Sequence, residues 1–321
     1  MNIILKTSLL LIPLFSLCGF SYPHNNGVEL TDSLDYKAYK AGRVNTISTF
    51  NMFREPSYII GGSGLGNIDP LIFEADIIPY FMASLSQNAR WGLEMSPRII
   101  LRMFNKYSYP VQTPSYMPRA TIFYQFPDSH RGKRDFFTFI SWMHHSNGQD
   151  DSFYNADSTT INTASGDFTT YWIHGGVFLS RPCNILPFNT NYVKLHAEYN
   201  YMQQKELEGI YGHLRFFVNI KNTVKLSDTF RTIVASGNSN KRYVFDQSIK
   251  IGWIADELID AKNLDRRRLI FNYTLSFKPT FLKDVNFFIH YYYGQDYYNI
   301  HFERQISVIR FGIASKSNIL Y

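Results

Sequence analysis

Along most of this chain, apolar and polar side chains alternate one by one. In 192–201, Val193, Leu195, Ala197, Tyr199 and Tyr201 share one parity, while Lys194, His196, Glu198 and Asn200 hold the other. In 211–220, Gly212, Leu214, Phe216, Val218 and Ile220 oppose Tyr211, His213, Arg215, Phe217 and Asn219. In 269–278, Leu269, Phe271, Tyr273, Leu275 and Phe277 oppose a face ending in Asn272, Thr274, Ser276 and Lys278. Weaker versions run through 93–103, 119–126 and 247–254. Successive side chains of a β-strand point to opposite faces, so each segment reads as a strand with one apolar and one polar side. The strands predicted in this way lie near 72–86, 91–104, 117–127, 134–146, 167–180, 190–203, 208–221, 228–236, 241–254, 267–279, 284–295 and 303–315. That is about twelve, an even number, as a closed antiparallel barrel requires. Short links such as Phe126 to Lys133 alternate with long polar ones, notably 147–166, as turns at one rim and loops at the other should.

Composition narrows the class. The 27 Phe and 23 Tyr help bring aromatic content to 17%, yet after the first residues no run of about 18 uncharged apolar residues exists to form a helical span. Aromatic wealth without a helical span suits an all-β, antiparallel transmembrane barrel with aromatic girdles; composition alone leaves a secreted β-sandwich or soluble barrel open. Residues 1–21 read as a secretory signal: Lys6, the run Leu9 to Phe15, then Gly19-Phe20-Ser21. Leu17 before Cys18 is too large for a good lipidation site. Beyond the signal Cys183 stands alone, so no internal disulfide supports the fold. Residues 22–70 form a less regular lead-in and 71–321 the barrel. The "IIGGSGLGN" stretch lacks the flanking strand and lysine-bearing helix of a phosphate loop, and is read as a flexible link. A net charge of +6 suits anionic head groups but demands no partner, and no basic-aromatic pattern of a nucleic-acid module is present. Arg266-Arg267-Arg268 reads as a solvated strand end.

The stretch "WMHHSNGQDD", Trp142 to Asp151, carries candidate chemistry. By parity, Ile140, Trp142, His144 and Ser146 point one way, and Ser141, Met143 and His145 the other. Residues two apart on a strand are about 7 Å apart at Cα, so His144 and Ser146 can meet while His145 cannot. If the Trp142 face is lipid-facing, the pair stands on the outer wall, where an imidazole can activate a serine towards an ester held in the bilayer. The competing reading is that Ser-Asn-Gly is ordinary turn chemistry beside a surface histidine. His174, His196 and His213 occur singly, without metal spacing, and read as wall or lumen positions.

His144-His145-Ser146-Asn147-Gly148, ending an aromatic strand, resembles the His-X-Ser-Asn-Gly signature of outer membrane phospholipase A. "SYPVQTPSYMPRATIFYQF", Ser108 to Phe126, with its Tyr116-Met117-Pro118 element, looks like that family's preceding segment, and "YYYGQDYYNIHFERQISVIRFGI", Tyr291 to Ile313, looks like its closing hairpin. The resemblance covers most of the chain from about residue 75.

It implies a barrel in the outer membrane of a Gram-negative cell that hydrolyses sn-1 and sn-2 acyl esters of phospholipids and lysophospholipids, uses Ca2+, and acts as a homodimer. Ser146 is then the nucleophile, His144 the general base, and the Gly148 N–H part of the oxyanion site. Gln149 through its backbone, Ser108 from the facing subunit and Ser152 through its hydroxyl match calcium ligands, with Asp150 and Asp151 adding negative charge. The family's asparagine that orients the histidine has no fixed-spacing match, because that position is Ser158. Asn155 fits the local pattern best and Asn162 is its rival, while Thr170 and Tyr171 stand where an asparagine is expected at the next strand. Two other classes compete: a catalytically silent, porin-like or structural barrel, and a soluble exported esterase.

Overall fold

The computed structural model of the protein describes residues 53–83, 89–108, 110–126, 135–180, 184–185, 188–225, 244–256, 258, 261–278, 282 and 284–315. The signal, most of the lead-in, Cys183 and the predicted strand 228–236 lie outside them.

Twelve antiparallel strands form a ring: β1 (Tyr58–Gly61), β2 (Leu71–Ile77), β3 (Trp91–Phe104), β4 (Ser115–Gln125), β5 (Asp135–Ser146), β6 (Thr169–Ser180), β7 (Phe188–Gln203), β8 (Leu214–Lys225), β9 (Val244–Ile254), β10 (Leu269–Lys278), β11 (Val285–Gln295) and β12 (Gln305–Ser315). Each pairs with the next, and β12 returns to β1 with Ile59 opposite Ile313, so the sheet has no free edge. Short pieces at Leu65–Gly66, Phe81–Ala83 and Asn184–Ile185 extend β12, β3 and β7. The expected closed antiparallel barrel is the observed fold.

Its amphipathicity is inverted relative to a water-soluble protein. Along β3, Trp91, Leu93 and Met95 are exposed, whereas Glu94 and Ser96 are buried. Ile140 and Trp142 on β5, Tyr199 on β7, and Phe287 and Ile289 on β11 are likewise exposed. An apolar outside around a polar inside is what a lipid-facing wall requires, and it excludes a soluble globular esterase. No helix among the described residues is long and apolar enough to cross a membrane.

The lumen is filled. Arg102 and Arg310, both 0% exposed, meet Glu74 at 2.6 and 2.9 Å, and Arg102 reaches Asp296 at 3.0 Å. Burying charges at this depth demands such pairing. Over the rim that carries the ends of β5 and β7, the connecting loops pack a small core of Phe153, Ile161, Phe168, Leu207, Tyr211 and Phe302. Deeper in the barrel, Phe123, Phe137, Phe139 and Phe178 cluster with Phe53 against them.

Three expectations need correction. The wall begins at Tyr58 rather than in the seventies, and the glycine-rich link is part of it. Asn67 bonds Ser307 N at 2.6 Å, and a Cβ at Gly64 or Gly66 would collide with the backbone of Ile309 or Ser307. The strand expected over 208–221 starts at Leu214, because Gly209 and Gly212 take φ of +72° and +83° in a turn. Arg268 is 5% exposed rather than solvated; it donates to the carbonyls of Lys262, Ile254, Ala261 and Asp256, clasping its loop.

Candidate active site

The end of β5 places four motif residues by parity alone. His144 and Ser146 continue the exposed face of Ile140 and Trp142, and their side chains meet: His144 Nε2 lies 2.9 Å from Ser146 Oγ. Both are half-buried. His145 and Asn147 turn inwards and anchor the strand end. His145 Nδ1 is 2.7 Å from the Tyr211 hydroxyl, and the ring packs edge-on against Phe168. Asn147, 1% exposed, donates to Gly166 O and Asn299 Oδ1, both at 2.7 Å, and accepts from Gln149 N and Phe168 N. Asn299 is held in turn by Thr113 O and Ser115 Oγ. The outward pair therefore stands on a strand end fastened to two other loops, which fixes the backbone from which His144 and Ser146 project.

Two tyrosines flank the pair on the outer wall. Tyr116 of β4 is the register partner of Ser146, and its ring would touch a Cβ at Gly148 at 3.4 Å. Tyr171 of β6 stands directly opposite His144, with ring centroids 4.7 Å apart. Gly148 takes φ +67° and makes no hydrogen bond with any described residue, so its N–H is free beside the serine. A hydroxyl against an imidazole, a free N–H and an apolar wall together suit attack on an ester carbonyl presented from the lipid side.

The orienting residue is another matter. Nδ1 of His144 is buried and meets full hydrogen-bond geometry with no described group, although the Thr170 backbone lies close enough to act on the ring. Asn155 does not come to it: its amide bonds Thr160 Oγ1 and Ile161 O within the β5–β6 loop. Asn162 bonds Ser152 O and Ser165. That loop is ordered independently at its tip, where Asp157 accepts from Thr159 N, Thr160 N and Thr160 Oγ1; these bonds hold its carboxyl down to about 2. The Thr170 hydroxyl faces inwards, towards Trp172 Nε1 and His145 O. Of the residues weighed from the sequence, Tyr171 alone has its side chain against the imidazole.

The candidate calcium ligands come from two connections, β3–β4 and β5–β6. Ser108 is exposed in the β3–β4 connection, Ser152 is exposed in the β5–β6 loop, and Gln149 donates its side-chain amide to Thr113 Oγ1. Asp150 and Asp151 are exposed beside the motif. No group of three or more His, Cys, Asp or Glu gathers in metal-binding geometry among the described residues. The structural anchors Asn299 and Tyr211 escaped the sequence reading, since neither belongs to a local pattern.

The fold is similar to that of outer membrane phospholipase A from Escherichia coli, with a TM-score of 0.52 and 11% identity over 85% of this chain and 98% of that one. It is also similar to the Salmonella typhi outer membrane phospholipase dimer with bound calcium, again with a TM-score of 0.52, 11% identity and the same coverage. At this identity the likeness is one of fold. No protein-family model and no curated protein matches the sequence.

Proposed function

We propose that the chain is an outer membrane phospholipase of Gram-negative type, cleaving acyl esters of membrane phospholipids and lysophospholipids at Ser146. The observation that carries this reading is the 2.9 Å contact between His144 Nε2 and Ser146 Oγ on the exposed apolar face of the wall. A polar pair in that position has no lumen to serve, and lies where acyl chains pass. In the reaction, His144 Nε2 takes the Ser146 proton as Oγ attacks the carbonyl carbon. The proton then passes to the departing alcohol as the ester C–O bond breaks. Water, deprotonated by the same imidazole, releases the fatty acid from Ser146. The free Gly148 N–H faces the developing oxyanion.

Calcium fits as a companion. The oxygen donors beside the motif are the Gln149 carbonyl, the Ser152 hydroxyl and the Asp150 and Asp151 carboxylates, all hard ligands of the kind calcium takes. When bound, it supplies charge that polarises the scissile carbonyl. A single chain offers a sparse set, which favours completion by Ser108 of a second copy and therefore a homodimer as the active form. This rests on the residue matches and on the calcium-bound dimer among the similar folds.

The reading is tested by a fluorophosphonate probe bearing a long alkyl chain, applied to the protein in detergent with calcium. Labelling at Ser146, lost in His144→Ala, is expected; equal labelling without His144, or none in the parent, overturns it. The rival passive channel is disfavoured by the lumen, which charged pairs and aromatic clusters fill.

A further inference from the structure

Behind the catalytic wall, inside the barrel, lies a group of cations with too few anions. Arg54 pairs with Glu94 at 2.8 Å, and Arg98 spans Asp76 at 2.6 Å and Glu55 at 3.3 Å. Glu198 makes its close contacts with imidazoles, His196 at 3.3 Å and His174 at 3.8 Å, and acts on Lys194 and Lys250 only at longer range. Arg119 of β4, Lys194 of β7 and Lys250 of β9 have no ion-pair partner among the described residues. The two ammonium groups instead lie over the faces of Phe139 and Phe217, at 4.5 and 4.3 Å. All three cations are close enough to act electrostatically on both Glu55 and His174. Five cationic side chains, Arg54, Arg98, Arg119, Lys194 and Lys250, thus meet four carboxylates, Glu55, Asp76, Glu94 and Glu198. In a low-dielectric wall an uncompensated charge is costly.

The same place holds a cavity and unused donors. A space of about 40 Å³ is lined by Arg54, Arg119, His174 and Lys194 and also by Glu55 and Glu94, whose carboxylates are engaged by Arg98 and Arg54. One water needs roughly 10–15 Å³ of such space, so the cavity takes a single small ion with a water or two and excludes anything the size of a head group. Arg119 Nε is buried without a partner, and so is Nε2 of His174, a residue 7% exposed. β5 separates this space from Ser146, which faces the opposite way.

We propose that the lumen binds one small inorganic monoanion, chloride in its natural setting, between Arg119, Lys194 and His174. The ion neutralises the excess positive charge and locks β4, β6 and β7 together behind the active-site strand. Its site is independent of hydrolysis, and an inactive protein would bind it equally.

The test uses the full chain in detergent micelles at constant ionic strength, with sodium chloride replacing sodium gluconate, whose anion is too large for the cavity. Chloride should raise the melting temperature with the logarithm of its concentration above the dissociation constant, by about 5 °C at a hundred times that constant. Lys194→Met should remove that dependence, and Lys250→Met provides a second variant should the first not fold. Crystals soaked in bromide should show an anomalous peak between Arg119 and Lys194. A melting temperature indifferent to chloride, a response undiminished in the folded variant, or a peak absent from the lumen each overturns the proposal in favour of a water-filled cavity with a neutral lysine.

Discussion

On the proposed function, replacing Tyr171 by asparagine should speed ester hydrolysis at Ser146. His144 holds Ser146 through Nε2 while its Nδ1 is buried outside full hydrogen-bond geometry with any described group, so the only influence on the tautomer that leaves Nε2 free to take a proton is the nearby Thr170 backbone. Tyr171 is the direct cross-strand partner of His144 and packs its ring at 4.7 Å, which limits ring rotation but makes no hydrogen bond to Nδ1. Directly opposed side chains have Cβ atoms about 4.5–5.5 Å apart, within reach of an asparagine carbonyl. One neutral hydrogen bond is worth about 0.5–1.5 kcal/mol net, which is a rise of roughly 2- to 12-fold in kcat if it forms only with the productive tautomer. The assay is fatty acid release from mixed micelles at saturating substrate, with Tyr171→Phe as the control that keeps the ring and removes the hydroxyl. The expected order is asparagine above tyrosine, with phenylalanine equal to tyrosine. An asparagine variant no faster than its parent, while folded and equally labelled at Ser146, refutes the idea that His144 lacks an orienting acceptor.

Arg102→Met should lower stability by about 3 kcal/mol, the lower end of the cost of breaking a buried pair, because Glu74 keeps Arg310 and Asp296 keeps Arg304; an unchanged urea midpoint in lipid vesicles contradicts this. His301, 8% exposed in the β11–β12 turn, is pushed down to about 4 by burial, partly opposed by Asp296. Between the ordinary value of 6.5 and 4 the unfolded chain therefore binds a proton that the folded one refuses, and stability falls as pH drops through that window by on the order of 2–3 kcal/mol. His301→Gln should flatten that slope in urea titrations at stepped pH, and a slope identical to the parent's refutes it. In planar bilayers the protein should pass no steady ionic current, since charged pairs and aromatic clusters fill its lumen; stepwise porin-like conductance would restore the channel reading.

Much of this molecule is legible from alternation alone, because a lipid-facing wall imposes a strict period of two on each strand. The same parity put His144 and Ser146 outside together and turned His145 inwards, without reference to any partner strand. What alternation does not carry is register and brevity. β1 spans only Tyr58–Gly61, too short to show a period and indistinguishable by pattern from the lead-in. The residue opposite His144 is fixed by how β6 docks after the 147–168 loop, so local pattern favours Asn155, whose amide is spent inside that loop. Asn147 and Asn299 meet across 152 residues, a contact with no local signature. The charge imbalance of the lumen is similarly hidden, since Arg119, Lys194 and Lys250 each look like an ordinary inward polar residue until the barrel closes around them.

The central claim is that Ser146, activated by His144 on the outer wall, cleaves phospholipid. The direct measurement is fatty acid release from phospholipid micelles by the parent and by Ser146→Ala, each with calcium and with a chelator, both proteins shown to be folded barrels. Release by the parent with calcium alone, and none by Ser146→Ala under either condition, is the predicted result. Equal release by the two proteins, or none from the folded parent at concentrations where it is a dimer, contradicts the account.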